Sequence, residues 1–316
     1  MDKSKVDVLR EAVPYIQKFK GRIFVVKLGG RVVDDAEALH ALAEEVALVD
    51  EVGIHVVVVH GGGKQATQLS ERLGIEPRFV GGRRITDDAT LDVAKFVYAG
   101  QVSIEILSSL RRQGVEAVGL SGVDGNTIVA RRRPRKLVKD EATGKRRKID
   151  FGHVGDIVEV NPRLILTLLQ NDYVPVVSCL GADERGNIFN INADTIACEI
   201  AVGLKAEKLI MMSDVEGLLL DMKDPSSLVS RLTLKEARSL VRKKVISGGM
   251  IPKIEACVDV IERGVGSAHI ISGKARNSLL FEVFTDEGSG TMVTGDGARA
   301  ESTVVTPPPA ARTNGR

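Results

Sequence analysis

The sequence predicts an α/β fold, a mainly parallel central sheet with helices on both faces. Two observations carry this. Six short apolar runs rich in β-branched residues recur along the 316 residues, and stretches of helical periodicity separate them. The runs are continuous rather than alternating, as expected of strands buried on both faces. In such sheets ligands gather beyond the carboxyl ends of the strands, so the residues at strand ends matter most.

The first element is helical. In "MDKSKVDVLREAVPYIQKF", Val6, Leu9, Val13 and Ile16 recur at helical spacing beside Tyr15 and Phe19. This predicts an amphipathic helix over residues 1–20, kinked at Pro14, that covers the parent domain or meets another subunit. "RIFVVKLGG", "IHVVVVHGG", "VEAVGLSG", "YVPVVSCLG", "EKLIMMSD" and "SAHIIS" are the strands. Helices are predicted at 35–52, 64–73, 87–112, 161–170, 194–203, 233–244 and 252–263. In 64–73, Ala66, Leu69 and Leu73 share a face and Gly74 supplies the stop. The basic stretch 130–150 reads as a solvated hairpin turning at "ATG". The segment 294–316 has the Pro/Ala/Thr/Gly composition of a disordered tail.

Composition narrows the function classes. A net charge of +2 argues against a nucleic-acid or membrane partner, and 3% aromatics without Trp argue against a base-stacking surface. Cys179, Cys198 and Cys257 are scattered without a CxxC, which fits free thiols in a reducing compartment. The charged N-terminus has no apolar signal core, and no apolar run reaches the roughly 20 residues of a membrane span. A cytoplasmic protein is expected.

The strand ends carry unusual residues. Lys27 closes an apolar strand, where an ammonium is costly unless it meets an anion or water, and Gly29 and Gly30 follow it. The second strand runs through four valines into His60 and Gly61, Gly62 and Gly63. This is not a P-loop: the glycine five positions before Gly63 is missing, and Gln65 stands where Ser or Thr would bind magnesium. Two glycine turns at neighbouring strand ends make a wall of backbone N–H donors, suited to an anion or to ordinary tight turns. In "NIFNINADTIA", Asn190, Asn192 and Asp194 alternate into a helix; they cap it, or they orient a substrate and hold lysines. "VISGGMIPKIEA" supplies Gly248, Gly249 and Lys253 near another helix start.

From Val6 to about Val293 the chain resembles the acetylglutamate kinases of the amino acid kinase family. The motifs are "KLGG", "VHGGGKQ", "RRITD", "GLSGVDGN", "DFGHVGDIVEVN", "NINAD", "SDVEGLL" and "GGMIPK". The resemblance implies an αβα sandwich of two lobes: residues 21–193 for the amino acid and 194–293 for ATP. It implies phosphorylation of the side-chain carboxylate of N-acetyl-L-glutamate by ATP, with Mg2+ carried by the nucleotide, as the second step of arginine biosynthesis. By residue matching, Lys27 and Lys253 flank the transferred phosphoryl group and Asp194 holds both. Gly62 and Gly63 approach substrate and phosphoryl group, and Arg84 and Asn190 grip the α-carboxylate. Gly29, Gly30, Ser213, Asp214, Gly217, Leu218, Ile246 and Ser247 match the ATP-binding stretches; no protein metal ligand is implied.

Some relatives use a kinked N-terminal helix to join dimers into a hexamer, a trimer of dimers, inhibited by arginine. Tyr15, His269, Glu282 and Gly288 match that arginine site, and the PII signalling protein is a partner of some relatives. Arg83, usually apolar, and Asn277, often histidine, depart from the pattern, and the basic stretch is longer and more charged than usual. Two rivals remain open: an N-acetyl-aminoadipate kinase, one methylene longer in its substrate, and a catalytically silent arginine sensor. A Rossmann oxidoreductase is disfavoured because no strand is followed by GxGxxG.

Overall fold

The computed structural model describes residues 3–139, 146–221, 224–243, 245–246 and 248–297. Eight strands form the central sheet: β1 (Ile23–Leu28), β2 (His55–His60), β3 (Ala117–Ser121), β4 (Val174–Ser178), β5 (Lys208–Ser213), β6 (Arg231–Thr233), β7 (Ser267–Ser272) and β8 (Thr291–Thr294). Their order is β6-β8-β7-β5-β1-β2-β4-β3. Every neighbouring pair is parallel except β7 with β8. β1 therefore lies in the middle, and its end at Lys27 and Leu28 opens between the ends of β2 and β5.

The alternation of side chains assigns each face. Leu28 and Val58 share a small apolar space with Leu42 of α2 (Ala36–Glu51) and Ile106 of helix Ser103–Arg112. Lys27 points the other way, to Asp194 on α4 (Ala193–Gly203). Val56 to Val59 are at most 1% exposed, which explains a run of four valines where an alternating strand would fail.

Helix starts follow local capping chemistry. Asp35 accepts from Glu37 N and Ala38 N at the start of α2, and Asp87 accepts from Thr90 N. Thr233 and Glu236 form a capping box before helix Leu234–Arg242. The predicted helix at 87–112 is present in three parts: α over Asp88–Lys95, π over Phe96–Val102 and α over Ser103–Arg112. α1 (Lys3–Phe19) is one helix with Pro14 inside it. Its Tyr15 stacks on Phe19, which meets Phe24 of β1 edge-on at 5.2 Å.

The basic stretch forms a two-stranded ribbon of Lys136–Lys139 and Arg146–Ile149; the predicted "ATG" turn lies outside the described residues. Arg132 and Arg135 pair with Asp150, and Arg133 with Asp156. At the other end, β8 includes Thr294 and Asp296 accepts from Lys235 N at 2.9 Å. Residues 298–316 of the predicted tail lie outside the described residues. Among the described residues no helix is long and apolar enough to cross a membrane.

Candidate active site

Asp194 stands in the first turn of α4, one residue past Ala193, with Asn192 capping the helix through Thr195 N. In "NINAD", then, Asn192 caps the helix, and Asp194 is left to point at lysines. Its Oδ1 lies 2.7 Å from Lys27 Nζ and its Oδ2 3.5 Å from Lys253 Nζ, on α5 (Met250–Glu262). Burial alone would raise the Asp194 carboxyl, but Lys27 and then Lys253 outweigh it and hold it below the usual carboxylate range. The three side chains carry a net positive charge at the end of the central strand, and they are 12%, 30% and 20% exposed in the order Lys27, Asp194, Lys253. Water and ligands therefore reach them.

The two glycine turns border this trio. A Cβ on Gly61 would touch Ala193 Cβ at 3.5 Å, so the second turn sits directly against α4. At Gly62 a Cβ would lie 2.8 Å from the Tyr98 ring, whereas at Gly63 and Gly30 it would meet nothing within 4 Å among the described residues. Gly62 is thus glycine for packing, while Gly63 and Gly30 front open space. α3 (Gly63–Arg72) starts at the turn, directing its N-terminus to the same region. Asp34 takes Gln65 Nε2 at 2.6 Å and Lys64 Nζ at 2.8 Å, tying the segment after the first turn to the first turn of α3.

Arg84 and Asn190 converge from separate elements. Arg84 Nη2 donates to Gly63 O and Thr67 Oγ1, both at 2.7 Å, and its guanidinium lies 4.7 Å from the Phe79 ring centroid. Its Nη1 is buried and, among the described residues, has no partner, which leaves a donor to be satisfied. Asn190 Nδ2 donates to Thr86 Oγ1 at 3.2 Å, two residues past Arg84. Arg83, by contrast, is exposed.

Of the residues matched to ATP binding, Gly29 and Gly30 follow β1, while Ser213 and Asp214 stand at the end of β5. A Cβ on Gly29 would lie 2.8 Å from Met212 O, so glycine lets the turn abut β5 just before Ser213. Asp214 pairs with Arg31 at 3.2 Å. Thr291 Oγ1 accepts from Leu218 N and blocks any side chain at Gly217. Leu218 and Ile246 are buried, and Ser247 lies outside the described residues. Among the described residues no three His, Cys, Asp or Glu gather as a metal cluster.

A second polar cluster lies on β7. His269 is fully buried, with Nδ1 2.5 Å from Glu282 Oε1 on α6 (Ser278–Phe284), while Ser267 Oγ donates to its Nε2 at 2.7 Å. Burial, then Lys208, pushes His269 down to about 4. Burial would raise Glu282, but His269 and Ser289 N–H outweigh it and hold it at about 2. Gly288, at φ +68°, passes 2.9 Å from Glu282 Oε2 by its Cβ direction, which excludes a side chain twice over. Lys208 Nζ sits 3.3 Å from His269 Nε2 and 5.0 Å from the Phe19 ring, and Tyr15 donates to Asp286. Tyr15, His269, Glu282 and Gly288 therefore share one region between α1 and β7. Asn277 takes φ +61° and gives its N–H to Glu45 Oε1 at 2.9 Å.

Sequence reasoning missed Asp34, Thr86 and Tyr98. Asp34 and Thr86 read as ordinary polar residues near helix starts, and nothing local to Tyr98 points to Gly62, 36 positions earlier.

A layered α/β chain thus sets two glycine turns beside two lysines that share one aspartate, where its central strand ends. The chain belongs to the amino acid kinase family, whose pattern matches residues 22–272. Its sequence is similar to acetylglutamate kinase from Methanocaldococcus jannaschii, 46% identical over 292 residues, covering 92% of this chain and 97% of that one. It is likewise similar to acetylglutamate kinase from Heliobacterium modesticaldum, 48% identical over 289 residues and 92% and 97% of the two chains. Kinship of this extent puts it in the acetylglutamate kinase group of the family. In structure it is similar to N-acetylglutamate synthase from Neisseria gonorrhoeae in complex with coenzyme A and N-acetyl-glutamate, with TM-score 0.77 and 28% identity. That match covers 93% of this chain but 64% of the synthase, so the chain spans just under two thirds of it.

Proposed function

We propose that the chain transfers the γ-phosphoryl group of ATP to the side-chain carboxylate of N-acetyl-L-glutamate, giving the acyl phosphate used in arginine biosynthesis. The observation that carries this reading is the Lys27–Asp194–Lys253 arrangement beside two glycine turns with open space in front. A carboxylate is already a nucleophile at neutral pH, so the reaction needs no general base. The obstacle is repulsion between the carboxylate and a polyanionic triphosphate. Fixed ammonium groups and backbone N–H donors oppose it most as charge moves in the transition state.

Lys27 acts on the γ-phosphoryl group in transit, Lys253 acts from the nucleotide side, and Asp194 keeps both in place. Gly62 and Gly63 line the acceptor side. Arg84, with its unsatisfied Nη1, and Asn190 hold the α-carboxylate. Residues 21–193 form the amino-acid lobe and 194–293 the nucleotide lobe. Gly29, Gly30, Ser213, Asp214, Gly217, Leu218, Ile246 and Ser247 serve the nucleotide, and Mg2+ would arrive with it, supplying positive charge against the phosphates.

The α1–β7 cluster supports arginine inhibition at Tyr15, His269, Glu282 and Gly288, since a buried carboxylate held ionised suits a guanidinium. The solved synthase from Neisseria gonorrhoeae in complex with L-arginine, 26% identical with TM-score 0.74, is consistent with this. That α1 joins dimers into a hexamer is a further part of this proposal, to be tested by the protein's elution volume. Three buried cysteines without a disulfide suit the cytoplasm. The PII signalling protein is a partner to test by co-elution.

A coupled assay for ADP release, run with N-acetylglutamate, N-acetyl-aminoadipate and free glutamate, tests the substrate. Preference for N-acetylglutamate is expected; preference for the longer acid would move the chain to lysine biosynthesis. Velocity insensitive to millimolar arginine in a protein eluting as a dimer would remove the regulatory part alone.

A further inference from the structure

His60, the last residue of β2, is fully buried and has no role in the reading above. Its Nδ1 lies 2.9 Å from Gly61 O. A carbonyl only accepts, so Nδ1 carries the proton and Nε2 is bare. Among the described residues Nε2 has no hydrogen-bond partner, and neither has Ser178 Oγ, which sits in register beside it on β4. The imidazole therefore grips the structure by hydrogen bonding at one place, the Gly61 carbonyl.

That one place controls a direction. In a planar trans peptide the C=O and the following N–H point opposite ways, and no described peptide bond is cis. His60 lies in register with Leu28 and two residues past Val58, so it shares their face, toward α2. A Gly61 carbonyl drawn toward that face turns Gly62 N–H toward the opposite one, where Lys27 meets Asp194. Among the described residues, Gly62 N and Gly63 N donate to no protein acceptor.

We infer that His60 is a positioning residue: through the Gly61 carbonyl it sets the Gly61–Gly62 peptide plane so that Gly62 N–H is presented to the anion beside Lys27. The identity of that anion rests on the proposed function, whereas the orientation does not. Burial pushes His60 down to about 4, so the ring stays neutral and keeps this tautomer near neutral pH.

Three substitutions separate the ring nitrogens. His60→Asn places an amide nitrogen at the Nδ1 position, His60→Gln places it at Nε2, and His60→Leu removes both. His60→Asn is expected to keep kcat within about 5-fold of the parent, while His60→Gln and His60→Leu lose about 100-fold, the scale of a misplaced reacting group. KM for ATP is expected to change little in all three, and thermal melts give the folded fraction of each. Equal kcat per folded enzyme in all three variants would overturn the inference, because a purely packing role predicts that result.

Should the variants not fold, long-range nitrogen–proton correlation spectra of the parent read the tautomer directly. A protonated Nδ1 and bare Nε2 between about pH 6 and about pH 8 are expected, and an Nε2–H tautomer or an imidazolium would overturn the inference. If the parent does not phosphorylate acetylglutamate, the proposed substrate fails while the spectra still decide the role of His60.

Discussion

Replacing Asp194 with Asn keeps the shape of the side chain and removes the charge between two ammonium ions. At 2.7 Å and 3.5 Å, and an effective dielectric near 20, each lysine attracts the carboxylate by about 5 kcal/mol. Desolvation consumes most of that, and breaking a fully buried pair costs roughly 3–5 kcal/mol. Asp194 is 30% exposed, so solvent screening lowers the expected loss to about 2 kcal/mol, or about 4 °C in Tm.

The larger effect is on rate. Two lysines without their shared anchor repel each other and leave the line of transfer, at a cost of about 100-fold in kcat. Steady-state kinetics and thermal melts on Asp194→Asn test both figures. The folded-state carboxyl sits below its ordinary 3.8, so the stability gap between parent and variant is full above about pH 4 and closes only in stronger acid. An Asp194→Asn enzyme with parental kcat and Tm would refute the claim that this carboxylate organises the site.

Other outcomes follow from the same geometry. Lys27→Ala and Lys253→Ala should each lower kcat by about 10²–10³, by analogy with losing one preorganised stabilising donor, as measured in single-turnover assays. Gly62→Ala and Gly63→Ala should separate: a Cβ at Gly62 meets the Tyr98 ring at 2.8 Å and costs about 1–3 kcal/mol in urea unfolding. Gly63→Ala meets nothing, gains up to about 1 kcal/mol as a helix residue, and loses activity because the methyl fills the cleft. His60 adds an acid liability, since its folded-state value of about 4 lies below the usual 6.5. The unfolded chain takes up the proton first, so stability is full above about pH 6.5 and falls toward pH 4. His60→Asn should lack about 2 kcal/mol of the loss seen between pH 7.5 and pH 5 in urea titrations of the parent.

Much of the fold was legible because six of the eight sheet strands are short, continuous apolar runs rich in β-branched residues. Lys27 stood out because a lysine does not belong in such a run without an anion, and Asp194 supplies one. The last two strands on one side of the sheet, β6 and β8, of three and four residues, were not legible: they are too short to display a period of two. Glu45 is the clearest failure. In "AEEVALVD" it reads as an exposed helix residue, yet it is buried and accepts from Asn277 N and Leu279 N at the start of α6. Its partners lie more than 230 positions away, and no local pattern encodes so distant a cap. The π segment at Phe96–Val102 was likewise invisible, since an inserted backbone turn leaves the apolar spacing nearly helical. The candidate site was legible as motifs, but its cross-links through Thr86 and Asp34 are tertiary.

Two ammonium groups anchored by Asp194, together with the glycine turns, are proposed to carry a phosphoryl group onto a carboxylate. Hydroxylamine trapping of the product formed from N-acetylglutamate and MgATP measures this directly. One hydroxamate per ADP is expected in the parent and almost none in Lys27→Ala. ADP release without hydroxamate, or equal yields from both proteins, would contradict it.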